Sequence, residues 1–305
     1  MKKTELLFLE PIQDLIELIL WTCYIKFENP VSITIIAEPE SGKTEIVKKY
    51  RRNNGVHATR KFTAYGILRD LIEGKIHLLF DKLKILGHIV VFDFGALGDY
   101  KPSTENSTIS FCDAITEDGL EVESSYAIDP EKLKPFRGLK GGIIACMNIL
   151  GFFTSDNKKR IKASMRKGGW FSRNIIVSYD ISDSEVKKIF KSIRKGKYRP
   201  NKNFVSFIAV DFPKKRVNVD ISERMCEEIE TIVDDIKEDL RDYFHRSTIK
   251  GIRLYKRLIA LAKASALRDG RRKVKQKDIE RLKYLSNWMN LRFNRLPKTK
   301  YPFAW

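Results

Sequence analysis

The chain has no paired cysteine motif. Its four cysteines, Cys23, Cys112, Cys146 and Cys226, are far apart, and no C-x-x-C pair or Cys/His cluster occurs. Such spacing argues against a zinc site, and the apolar runs around Cys23 and Cys146 read as buried thiols of a reducing compartment. A long uncharged apolar run is also missing. The segment Ile12 to Ile25 carries Asp14 and Glu17 and is too short and too charged to span a bilayer, so it reads as an amphipathic helix packed on a domain. The start Met1-Lys2-Lys3 is basic, but Glu5 and Glu10 interrupt the residues after it, so it does not read as a signal peptide. The expectation is a cytoplasmic or nucleoid-associated protein without a membrane partner.

Negative charge is scarce relative to positive. Among 305 residues there are 58 Lys and Arg against 39 Asp and Glu, for a net charge of +19. Sixteen basic residues face three acids (Asp269, Asp278, Glu280) from Gly251 to Trp305, an excess of +13. An excess of this size suits a polyanionic partner, nucleic acid first. Candidate DNA contacts are Arg271, Arg272 and Lys273, or the run containing Lys158, Lys159 and Arg160.

The stretch Ala37-Glu38-Pro39-Glu40-Ser41-Gly42-Lys43-Thr44 fits the phosphate-loop pattern G-x-x-x-x-G-K-[ST], with Ala37 in place of the first Gly. Val31 to Ile36 reads as a buried parallel strand before it and Thr44 to Arg52 as a helix after it. In that setting Glu38 to Thr44 would wrap the phosphates of ATP. Lys43 would reach the β- and γ-phosphates, and Thr44 would hold Mg²⁺.

Downstream, Val56 to Phe62 reads as a strand and Thr63 to Ile76 as a helix. The run His88-Ile89-Val90-Val91-Phe92-Asp93 is a buried strand that would deliver the Asp93 carboxylate to the same Mg²⁺. A glutamate to polarise water is absent after it: position 94 is Phe94, and Asp99 and Glu105 are the next acids along the chain. Tyr100 to Thr108 reads as a loop, Ile109 to Ile115 as a short helix, Leu120 to Ile128 as a strand and Pro130 to Gly142 as a basic loop. Ile143 to Asn148 is another buried strand, with Asn148 at its end either touching a γ-phosphate or capping the strand. Arg173 precedes the strand Ile175 to Tyr179, where its side chain can point to a neighbouring subunit. Ser182-Asp183-Ser184-Glu185 is a capped start for a helix to Arg194. Lys195 to Asn203 reads as a linker, Phe204 to Val219 as a small hairpin around Pro213, and the rest as helical.

Taken in order, these pieces resemble the AAA+ ATPases, and within them the branch of the minichromosome maintenance helicases. Ala37 to Thr44 is similar to Walker A, Asp93 to a truncated Walker B and Asn148 to the first sensor. Phe171-Ser172-Arg173 resembles the Leu-Ser-Arg motif whose Arg is the finger. Ile252-Arg253-Leu254 leading into Leu261 to Ala266 resembles the lid helix with the second sensor, which makes Arg253 the matching residue.

The resemblance implies an α/β fold, an AAA+ P-loop domain with a mostly parallel sheet flanked by helices, followed by a small helical lid. Its divisions would be an N-terminal helix over 1–30, the nucleotide-binding domain over 31–198, and the lid with a basic C-terminal segment over 199–305. It implies ATP and Mg²⁺ as cofactors, with Asp93, Asn148, Arg173 and Arg253 as catalytic groups. It further implies a homo-oligomer, a ring such as a hexamer or a filament. The partners would be single- or double-stranded DNA and a replicative helicase or other replication protein. The function would be a helicase-like motor or helicase loader in replication, of a mobile element or virus. The acids Glu117, Asp118, Glu121 and Glu123 stand where those helicases present a basic residue to DNA, and Phe94 replaces the glutamate. Both departures keep a second reading open, a nucleotide-gated DNA-binding scaffold with weak or absent hydrolysis.

Overall fold

The computed structural model describes residues 9–60, 62–122, 126–148, 170–194, 207–241, 251–295 and 302–303. Five apolar segments form its centre: β1 (Ile33–Ala37), β2 (Val56–Thr59), β3 (Ile85–Val91), β4 (Lys140–Asn148) and β5 (Ile175–Ser178). They make one all-parallel sheet in the order β2-β3-β4-β1-β5. Every residue of β1, β3 and β5 is buried, as expected of parallel strands covered on both faces. Because β4 is inserted between β1 and β3, the ends of these three strands stand in a row. Ala37 faces Asn148, and Val91 faces Ala145, two residues before Asp93.

The helices are α1 (Glu10–Thr22), α2 (Lys43–Lys48), α3 (Ala64–Ile72), α4 (Pro102–Thr116), α5 (Pro130–Leu133), α6 (Trp170–Arg173), α7 (Asp183–Arg194), α8 (Glu223–Arg241), α9 (Ile252–Arg268) and α10 (Gln276–Ser286). Thr63 caps α3 by accepting from Gly66 N at 3.0 Å, and Glu185 accepts from Ser182 N at 2.7 Å ahead of α7. The α8, α9 and α10 helices pack on one another, and α9 lies chiefly against α1.

Several expected boundaries shift. The helix after the phosphate loop ends at Lys48 and gives way to turns, in place of running to Arg52. The expected loop from Tyr100 is helical from Pro102, because proline is tolerated in a first helical turn. No strand forms within 120–122 or 126–128. Leu120 instead exchanges single backbone bonds with Gly138 and Leu139. The basic loop before β4 contains α5 and a 3₁₀ turn over Lys134–Phe136. The expected hairpin around Pro213 is also absent from residues 207–222. Val217 bridges Ile25 instead, so this segment is used as a clasp on the turn after α1. The expected linker at 195–203 lies outside the described residues.

Helix α1 is more deeply enclosed than an amphipathic surface helix, with ten of its 13 residues buried. Asp14 is fully buried and meets Arg268 Nη1 at 2.6 Å and Arg281 Nε at 3.6 Å. Arg281 Nη1 also donates to Ser265 Oγ at 2.9 Å, which donates to Asp278 at 2.7 Å. This buried ionic network ties α1 to α9 and α10. Its charges need one another, because a desolvated charge left alone is costly.

Candidate functional site

The phosphate-loop motif leaves the carboxyl end of β1 and enters α2. Gly42 has φ +84° and Glu40 has φ +62°, so the loop uses two left-handed residues to make its turn. A Cβ on Gly42 would sit 2.8 Å from Leu9 Cδ1 and would be strained at that φ, which fixes the choice of glycine. Leu9, just ahead of α1, therefore presses on the loop. From the other side, the Tyr179 hydroxyl donates to Ser41 O at 3.2 Å, so the residue after β5 holds the loop too. Ser41 Oγ is buried without a hydrogen-bond partner among the described residues.

Lys43 is buried, and its Nζ donates to Glu38 O at 2.8 Å, across the loop. Burial pulls its ammonium below the ordinary lysine range, while Cys146 and Asp93 oppose that shift through their charge. Asp93 is thus close enough to act electrically on Lys43, although the two are far apart in sequence. Asp93 itself is exposed, whereas Phe94 after it is completely buried. Neither Thr44 nor Asp93 has a side-chain hydrogen bond or ion pair among the described residues, and Asn148 at the end of β4 stands beside Ala37. The donor set of Thr44 hydroxyl and Asp93 carboxylate suits a hard cation such as Mg²⁺, and the buried Ser41 hydroxyl and Lys43 ammonium suit the anion it accompanies.

Of the two acids that could replace the missing glutamate, Asp99 is exposed and Glu105 is buried in the first turn of α4. The Phe94 ring stacks on Trp170 at 4.5 Å between centroids with planes 23° apart, and Trp170 Nε1 donates to Thr34 Oγ1 in β1 at 3.0 Å. The position next to Asp93 therefore belongs to the core.

Arg173 and Arg253 lie elsewhere. Ile175 faces Ile33, and Ile175 N donates to Ser32 O at 2.9 Å, so Arg173 sits beyond the amino end of β1. The phosphate loop leaves the opposite end, about 13 Å away along the strand alone. Arg173 Nη1 meets Asp113 at 3.3 Å. Arg253 Nε meets Glu117 at 3.3 Å, and its Nη1 donates to Ser172 Oγ at 3.2 Å. Sequence reading missed Arg257, one turn on, which meets the same Glu117 oxygen at 2.8 Å and donates to Ser172 O at 2.8 Å. The i, i+4 spacing of the two arginines was the available signal. Burial raises the Asp113 pKa to about 6, against the lowering pull of Arg173 and Arg253. The two proposed arginines are therefore brought together with each other and kept apart from their own chain's Lys43.

The C-terminal charge is largely internal. Arg268 and Arg281 serve Asp14, Lys263 pairs with Glu28 at 2.5 Å, Lys277 with Asp269 at 2.6 Å, and Arg292 with Asp239. Arg271 grips the buried Asp278 with both terminal nitrogens at 2.7 Å and meets Asp269 at 2.9 Å. As a DNA contact Arg271 is a poor candidate, since it would have to abandon two carboxylates. Arg272 and Lys273 are exposed and carry no such pairs among the described residues. Lys158, Lys159 and Arg160 lie outside the described residues.

Among the described residues no helix is long and apolar enough to cross a membrane. In comparisons with models of known protein families and with curated proteins, no match to the chain was found.

Proposed function

We propose that this chain binds Mg²⁺·ATP in the loop Glu38 to Thr44 as an AAA+-type ATPase that associates with its own copies and acts on DNA. The observation that carries the reading is the convergence of Lys43, Thr44, Asp93 and Asn148 at the carboxyl ends of three adjacent parallel strands. This is the place where α/β sheets bind ligands. Bound Mg²⁺ would neutralise phosphate charge there. Lys43 would hold the terminal phosphates, the Ser41 hydroxyl would find a partner, and Asn148 would meet the γ-phosphate beside Ala37.

Arg173 and Arg253 support the shared-site part of this reading in a specific way. Both stand at the edge opposite their own phosphate loop, so the nucleotide they can serve is one held by a neighbouring copy. Contacts of that kind are head-to-tail and generate rings or helical filaments. A helicase-like motor or a helicase loader is the role that such an assembly on DNA would fill.

A specific observation favours a second, slower version. Phe94 is locked in the core against Trp170, so no carboxylate stands next to Asp93 to polarise water. The chain would then be a nucleotide-gated scaffold on DNA. ATP turnover, measured with and without DNA, separates the two. Turnover stimulated by DNA supports the motor, and ATP binding with negligible turnover supports the scaffold.

A further inference from the structure

The turn after α1 presents a phenylalanine to solvent. Phe27 is 89% exposed, the most open large apolar side chain among the described residues, and has φ +66°, an uncommon backbone state for a bulky residue. The turn is nonetheless firmly held. Lys26 N donates to Val217 O at 2.9 Å, and Val217 N donates to Tyr24 O at 2.7 Å. The Arg216 guanidinium donates to both Ile25 O and Glu28 O. Underneath, Tyr24 stacks on Phe212 at 4.6 Å with planes 10° apart, and Trp21 meets Phe212 edge-on at 5.2 Å. The segment that clasps the turn brings exposed Lys214 and Lys215 beside exposed Lys26. The one acid on the turn, Glu28, is occupied by Lys263. Asp211 is the exposed acid on the clasp.

From this we infer that Phe27 is a stacking platform for an unpaired nucleobase of a single-stranded nucleic acid, with Lys26, Lys214 and Lys215 meeting the phosphates on either side. An aromatic ring offered to solvent on a rigid base, flanked by cations, is what sequence-tolerant single-strand binding needs. The ring takes the π-face of any base and the lysines follow the backbone. A base held within a duplex cannot reach such a ring. The site stands at the amino end of the sheet, away from Lys43, so a strand here would not compete with nucleotide. It rests on the nucleic-acid part of the proposed function, gives that part a position, and does not depend on ATP.

The test is fluorescence anisotropy of the full chain with labelled oligo(dT) over a series of salt concentrations. Phe27→Ala should lower affinity about tenfold, the loss of one stacked base, with an unchanged salt slope. Phe27→Trp should keep or tighten binding. Lys214→Gln with Lys215→Gln should make the slope of log affinity against log salt shallower by about 0.7 for each phosphate no longer met. Because Phe27 and both lysines are exposed, these variants should melt like the parent. Wild-type affinity in Phe27→Ala, with binding abolished in Arg272→Gln/Lys273→Gln, would overturn the site while leaving a DNA-binding function intact. No binding of oligo(dT) by the parent, with partition onto phosphatidylserine vesicles instead, would overturn both.

Discussion

Replacing Phe94 by Glu restores the residue that a Walker B strand ordinarily carries after its aspartate, and it should fail. The Phe94 side chain is fully buried, stacked on Trp170 and 6.0 Å from the Phe62 ring. Losing its burial removes about 2 kcal/mol, and placing an unsatisfied polar group there costs about 2 kcal/mol more. The sum, about 4 kcal/mol, is a large part of the roughly 5–15 kcal/mol typical of a whole domain. A glutamate in that apolar site would hold its proton to higher pH than in the unfolded chain. With the folded pKa raised, the variant is least destabilised below about pH 4, the unfolded value. It loses further stability as pH rises through the folded pKa. Urea unfolding at pH 5 and pH 8 should show the larger deficit at pH 8, while Phe94→Leu should cost about 1 kcal/mol at both. ATP turnover should not increase. A Phe94→Glu protein as stable as the parent, and faster with ATP, would mean that position 94 faces the nucleotide and that the core assignment is wrong.

The arginine cluster gives two more expected outcomes. Arg173→Ala should leave nucleotide binding nearly intact and lower any turnover, and mixing it with Lys43→Ala should restore part of the activity, because each variant supplies the half-site that the other lacks. Fingers acting in trans contribute roughly 10³–10⁵-fold in related P-loop enzymes, so full activity of Arg173→Ala alone would exclude the shared site. Asp113, with its pKa raised to about 6, contributes stability that is present below about pH 4 and lost by about pH 6. Thermal melts from about pH 4 to about pH 7 should therefore slope downward more in the parent than in Asp113→Asn, and equal slopes would show that Asp113 is not the titrating group.

The centre of this fold was legible because buried parallel strands are continuous apolar runs. Ile33 to Ala37, Ile85 to Val91, Lys140 to Asn148 and Ile175 to Ser178 all fall on such runs, and the phosphate loop lies between the first run and its helix. The Ser182 to Glu185 cap was legible for a local reason, since its partners are three residues apart. The features that were not legible depend on distance. Pro102 read as a loop residue because nothing nearby says that it opens a helix. The C-terminal charges read as a free basic surface because a sequence counts charges without their partners. Arg268 and Asp14, for example, are separated by 254 positions. Arg253 could be matched to a motif, yet only the fold places the start of α9 at the amino edge of the sheet, beside Arg173. Phe27 gave no periodic signal, and its exposure follows from a turn braced by Arg216, which lies 191 positions after Ile25.

The central claim is that Lys43 belongs to a nucleotide site. The most direct measurement is calorimetric titration of the full chain with Mg²⁺·ATP, comparing the parent with Lys43→Ala and with Lys48→Ala. Lys48 is a nearby partly exposed lysine in the last turn of α2 that pairs with Glu45. Saturable binding by the parent and by Lys48→Ala, with none by Lys43→Ala, is the predicted result. Binding of equal strength in Lys43→Ala, or no binding of ATP by the parent, would contradict it.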